Sequence, residues 1–207
     1  NTEAVVLGSA SEVLFSLEYR YILIAMLAVS AVGALLLATK LRSRYEASVG
    51  SGVSGFRWLL TGLTAGLTLQ LVSFVGGVQD VMTLKTVSAL IVATVLLGWV
   101  ADRDNAASKS PKWLAFVASL YTGALAWFPL LGSLVGTTVY GGERFGWHVY
   151  ALAGVALAGF TGFAITQYLS IKNKNSLEYT VYEQRYLRID QLTKFLVVVI
   201  IFSAFAK

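Results

Sequence analysis

Cysteine is absent from the 207 residues, histidine occurs once and proline twice. Without cysteine there is no disulfide framework, no thiolate zinc site and no thiol nucleophile. A single imidazole leaves no histidine-based metal cluster. Charge is scarce as well: Asp, Glu, Lys and Arg together make up 13% of the chain, against about 25% in an ordinary soluble domain. That scarcity excludes a disordered chain, a nucleic-acid-binding domain and most soluble enzymes. No nucleic-acid partner and no enzymatic activity are therefore expected. The net charge of +5 does not argue otherwise, because the basic residues sit in short connections between long apolar runs, where they mark membrane topology. What the chain has in abundance is apolar surface, with 57% hydrophobic residues and a mean hydropathy of +0.70. It begins at Asn1 rather than Met, so an upstream segment is expected to be missing or removed.

A hydrocarbon core of about 30 Å needs roughly 20 apolar helical residues. Six stretches meet this, at about 16–40, 56–78, 82–100, 113–136, 145–170 and 185–206. Spanning strands would be about 10 residues long and would alternate polar with apolar, and no such alternation occurs. The connections are short and polar, with no domain linker, no low-complexity segment and no clear repeat. The expected fold is all-α: one polytopic membrane bundle over residues 1–207 with six transmembrane helices. Gly62, Gly66, Gly154 and Gly159 are expected to let helices pack closely. Pro111 suits a helix start, and Pro129 lies inside the fourth helix, where it is expected to kink it.

Lys and Arg set the orientation. Lys40, Arg42, Arg44, Arg57, Arg103, Lys109, Lys112, Lys172, Lys174, Arg185 and Arg188 fall on one side, and only Arg20, Arg144 and Lys207 on the other. Eleven against three makes the first side cytoplasmic and puts both termini outside. Trp99, Trp113 and Trp147 fall at expected helix ends, as an aromatic belt does.

An ionisable residue deep in a span costs about 2.5–3.5 kcal/mol on translocon scales and calls for a reason. Three lie well within the apolar runs: Lys85, Asp190 and Lys194. Lys85 is near a helix end and is expected to snorkel to the interface. Lys194 is roughly 13.5 Å into the last span at 1.5 Å per residue, near the midplane. Asp190, four residues earlier, shares its helical face. The pair is either a self-neutralising ion pair or an amine placed for covalent chemistry with an aldehyde cofactor, with Asp190 as the anion for a protonated imine. Trp58, Thr61, Trp127, Phe160 and Phe163 are candidates to line an apolar pocket beside it. His148 is expected at an interface.

Taken in order, several segments resemble the heliorhodopsins, retinal-binding membrane proteins of inverted topology. Arg44-Tyr45, followed by Phe56-Arg57-Trp58, resembles the family's second-to-third-helix connection. Asp80, with a helix closing in Gly98-Trp99, resembles its fourth helix, and Trp127 followed by Leu130-Leu131 its fifth. Val149-Tyr150 through Phe163-Ala164 to Gln167-Tyr168-Leu169 resembles its sixth. Lys172 and Lys174 lead on to Glu183, and Lys194 stands where the retinal-binding lysine of the last helix belongs, with Phe202-Ser203 continuing that helix.

The resemblance implies an opsin-like seven-helix bundle of which this chain supplies all but the first helix. It implies all-trans retinal as cofactor, on a Schiff base at Lys194. The chain departs from the family at two positions. Leu60 occupies the place of the counterion glutamate in the third helix, and Asp190 stands where serine is usual, one turn before the lysine. The anion is thus expected to have moved from helix three to helix six of this chain. The family's pocket histidines are unmatched.

The leading expectation is a retinal-binding photoreceptor. Lys194 carries the chromophore, Asp190 is its counterion, and Trp58, Thr61, Trp127, Phe160 and Phe163 shape the pocket. It sits in the lipid bilayer and signals to a second copy or another membrane protein. The alternative is a retinal-free structural or accessory subunit of a membrane complex, in which Asp190 and Lys194 are only an ion pair. Ion pumping is not expected. Glu46, Asp102, Asp104, Glu178 and Glu183 are read as lying in or beside cytoplasmic loops, and Glu3, Glu12, Glu18, Asp80 and Glu143 as lying on the outer side. That leaves no acid in the cytoplasmic half to reprotonate an imine.

Overall fold

A computed structural model describes residues 18–141, 144–173 and 179–205. Among them there are seven helices and no strand: α1 (Tyr19–Ala38), α2 (Arg42–Gly50), α3 (Gly55–Val75), α4 (Val81–Ala107), α5 (Leu114–Tyr140), α6 (Trp147–Lys172) and α7 (Tyr179–Phe205). Five of these, α1, α3, α4, α5 and α6, are long and apolar enough to cross a membrane. The chain is a polytopic helical membrane bundle. The sixth expected span corresponds to α7, which has the length, 27 residues, but carries Glu183, Arg185, Arg188, Asp190 and Lys194 in its first sixteen. Lys174, Glu143, Glu178, Lys207 and the tail bearing Glu3 and Glu12 lie outside the described residues.

α3 is the axis of the bundle. It packs against α1, α4, α5 and α6, and 61% of its apolar window is buried, against 17% for the peripheral α1. Leu69, Leu71 and Val72 of α3 join Met26, Val87, Leu130, Leu152 and Val197 from five other helices in one apolar core. The remaining surface carries exposed Leu, Ile, Val and Phe on every long helix, the pattern of a bundle solvated by lipid rather than water.

Helix ends shift by a few residues from the sequence reading throughout, and three of the shifts have a local reason. α3 stops at Val75, because Gly77 takes φ +90° and the N–H groups of Gly76 and Val78 turn back onto Val72 and Ser73. α4 runs seven residues further, to Ala107, and so contains Asp102, Arg103 and Asp104. Its last turn is held by Asn105, which donates to the carbonyls of Ala101 and Lys112 and accepts from the Lys112 N–H. Trp99 is consequently inside α4, against Gly55, and not at a helix end. α7 begins six residues earlier than expected, and its first turns bury Tyr182, Glu183 and Tyr186.

α5 continues through Pro129. Of the glycines expected at helix contacts, Gly62 faces Val95 and Gly66 faces Ser88, while Gly159 faces Thr193. Gly154 is a correction: nothing lies within 4 Å of where its side chain would be. At the other end of α3, Asp80 caps α4, accepting the Thr83 N–H at 2.6 Å. The Thr83 hydroxyl and N–H bonds hold the Asp80 carboxyl below the ordinary carboxylate range.

Candidate functional site

Lys194 is the sixteenth of the 27 residues of α7, near its middle, and its side chain is 7% exposed. Helical geometry brings Asp190 one turn behind it on the same face. The Lys194 ammonium donates to Asp190 Oδ2 at 2.6 Å. The amine and carboxylate open on a partly enclosed cavity of about 120 Å³ between α3, α4, α5, α6 and α7. Small-molecule sites are mostly apolar with a few placed polar groups, and this lining has that character.

The seven residues singled out from the sequence, Trp58, Thr61, Trp127, Phe160, Phe163, Asp190 and Lys194, all line this one cavity. α3 supplies Trp58 and Thr61 three residues apart, close to one helical turn. α5 supplies Trp127, whose ring meets Phe160 of α6 edge-on, with centroids 6.3 Å apart. Phe163 lies one turn beyond Phe160 and stacks at a tilt on Tyr186, at 5.3 Å. Gly123 leaves room for the Phe160 ring, since a β-carbon there would overlap it. Thr94, Ser119, Gln167 and Thr193 add polar groups that the sequence reading did not single out. Leu60 is not among the lining residues and its side chain packs against Gly33 of α1. His148 stands in the first turn of α6, beside Trp147, and does not line the cavity.

A second constellation lies along the same face of α7, toward α2. Arg57 was read as a topology-marking charge at the start of the second span, and Asp102 and Glu183 as lying in or beside loops; all three are inside the bundle, at 2%, 5% and 3% exposure. Arg57 Nε donates to Glu183 at 2.6 Å, and its Nη2 donates to Asp102 at 3.3 Å and to the Tyr179 hydroxyl at 3.1 Å. Asp102 also accepts from Trp58 Nε1 at 2.8 Å, Gln167 Nε2 at 3.1 Å and the Tyr179 hydroxyl at 3.0 Å. The guanidinium carbon lies 4.1 Å from the Trp58 ring centroid and 4.0 Å from that of Tyr186, where the ring faces attract a cation.

Burial of these charges is tolerable only because each is paired and hydrogen-bonded. The sequence does carry a signal for the cluster. Arg57 directly precedes an apolar run, and Glu183 lies seven residues, two helical turns, before Asp190. What it does not carry is the pairing. The cluster reaches the surface through α2, where the Tyr45 hydroxyl donates to Glu183 at 2.7 Å. Burial, and then the bond to Glu183, push the Tyr45 hydroxyl above the ordinary tyrosine range, so it keeps its proton and acts as donor.

Among known families, the heliorhodopsin family matches residues 1–205. A search of curated proteins gives no match. The match covers nearly the whole chain, including every helix that builds the cavity, and so this protein belongs to the heliorhodopsin family of rhodopsin-like, light-sensing membrane proteins.

Proposed function

We propose that this protein is a photoreceptor that binds all-trans retinal in the cavity beside Lys194 and does not pump ions. The observation that carries the reading is the position of the Lys194 amine, mid-helix and opening into an aromatic-lined space with one carboxylate at 2.6 Å. Retinal, bound as a Schiff base on Lys194, supplies light absorption and isomerisation. The protein's part is to hold and respond. Trp58, Trp127, Phe160 and Phe163 confine an apolar ligand, and Thr61 adds a hydroxyl. Asp190 is the anion nearest the lysine nitrogen, in place of a helix-three carboxylate. Leu60 leaves that helix with no acid on the cavity. Lys194 needs such a partner, because an unpaired buried cation is costly.

The basic residues support a topology with six crossings, α7 being the last, the α2 end cytoplasmic and both termini outside. Asp102 and Glu183 belong to that cytoplasmic half. The non-pumping reading therefore rests on how they are held: four donors fix Asp102, and Arg57 and Tyr45 fix Glu183. Among the described residues, Asp190 is the only carboxylate that lines the cavity. A relay across the membrane needs mobile proton carriers on both sides of the lysine, and acids pinned in ion pairs do not serve as such. The response to light is then a rearrangement passed to a second copy or to another membrane protein. No step makes it an enzyme.

The rival, a retinal-free accessory subunit, draws on Leu60 and on the direct contact between Lys194 and Asp190. A visible absorption spectrum after addition of retinal separates the two. The expected result is a coloured protein, and a folded but colourless Lys194→Ala variant. A wild type that stays colourless would establish the rival, and a coloured Lys194→Ala would overturn the site.

A further inference from the structure

α2 is the most weakly anchored of the described helices. It has nine residues and none of them is buried. It is followed by Gly52 at φ +79°, a backbone state that glycine adopts without strain. A side-chain bond that holds it to the bundle is the one from Tyr45 to Glu183 at 2.7 Å. From Glu183 an unbroken series of buried contacts leads to the cavity wall: Arg57, Asp102, and then both Trp58 and Gln167. Trp58 and Gln167 each face the cavity with one part and bond Asp102 with another. Neither can move far without disturbing a carboxylate that is 5% exposed and bonded to both, where a lost hydrogen bond is costly.

We infer that α2 is the element that reads the state of the cavity: displacement of Trp58 or Gln167 loosens Asp102 and Arg57, weakens the hold on Glu183, and releases Tyr45 and α2. The two states are α2 docked through Tyr45 and α2 undocked. An element without buried residues is the one whose docking equilibrium a small change can shift. The mechanism concerns the wall of the cavity and holds whether or not retinal is its occupant.

Gly98 offers a way to move that wall without any ligand. A β-carbon on Gly98 would lie 2.8 Å from Trp58 Cη2 and 3.4 Å from Gln167 Oε1, so Gly98→Ala forces the indole to shift. The chain has no cysteine, and Ser43 of α2 is exposed, so Ser43→Cys carries a spin label at a single site. The label's mobility is measured in four proteins: parent, Gly98→Ala, Tyr45→Phe and the double variant. Gly98→Ala and Tyr45→Phe are each expected to shift the label to its mobile component. In the double variant, Gly98→Ala is expected to add nothing, since the link is already cut. Gly132→Ala, where nothing lies within 4 Å, is the control and should leave the spectrum unchanged. If Gly98→Ala fails to fold, Trp58→Phe takes its place, because it keeps a ring but deletes the donor to Asp102. An α2 label indifferent to the cavity-wall variant, or one that responds equally with and without the Tyr45 hydroxyl, overturns the inference. Because no chromophore is used, a colourless protein leaves the result interpretable.

Discussion

Replacing Asp190 by Asn keeps the size and shape of the side chain and removes its charge. In the structure the carboxylate lies 2.6 Å from the Lys194 nitrogen, and the two side chains are 14% and 7% exposed. Averaged over the carboxylate and a protonated imine, the charge centres are about 4 Å apart, worth about 4 kcal/mol at an effective dielectric constant of about 20. At about 1.4 kcal/mol per tenfold change, this is about a thousandfold in the ratio of protonated to neutral imine. Measured effects of a single neighbouring charge span about ten- to a thousandfold, and that is the range expected for Asp190→Asn. The protonated form absorbs visible light and the neutral form ultraviolet. The assay is therefore the absorption spectrum of the retinal-loaded protein across pH at fixed salt. Wild type is expected to be coloured at neutral pH and Asp190→Asn largely bleached, while Asp190→Glu, which keeps the charge, stays coloured. An Asp190→Asn protein that loses its visible band at the same pH as wild type would refute the assignment and show that another anion balances the charge.

The Arg57 cluster makes a separate stability prediction. Arg57→Gln leaves two carboxylates buried without a cation and should cost about 3–5 kcal/mol, read from unfolding in detergent micelles. A loss below about 1 kcal/mol would mean that the cluster is hydrated and not dry. For topology, a cysteine at Lys109 should react with membrane-impermeant reagents only from the cytoplasmic side; labelling from outside would invert the assignment. For ion transport, illuminated vesicles holding the pigment should show no sustained pH change. A change abolished both by a protonophore and by Lys194→Ala would overturn the non-pumping reading.

Much of the architecture was legible from the residues because it depends on short-range quantities. A span of apolar residues matched to a hydrocarbon thickness specifies a helix wherever it lies in the chain, and five of the long helices follow from that rule. The Asp190–Lys194 contact is equally local, because residues four apart on a helix meet whatever the surroundings. The aromatic residues that meet at the cavity were candidates as aromatic side chains within the apolar spans, and Trp58, Trp127 and Phe163 also belong to the segments that resemble the family.

The Arg57 cluster is of another kind. Arg57 bonds partners 45 and 126 residues away, and nothing in the local pattern says that these helix ends converge. Read by itself, each of the three charges belongs in a loop, since an isolated charge is expelled from an apolar interior. Brought together they satisfy one another. That mutual satisfaction lets α4 and α7 extend past the ends their apolar runs suggest. The packing of α3 against α4 and α6 decided this, because it set Trp58 and Arg57 within reach of Asp102 and so tied the cavity wall to a buried ion-pair network.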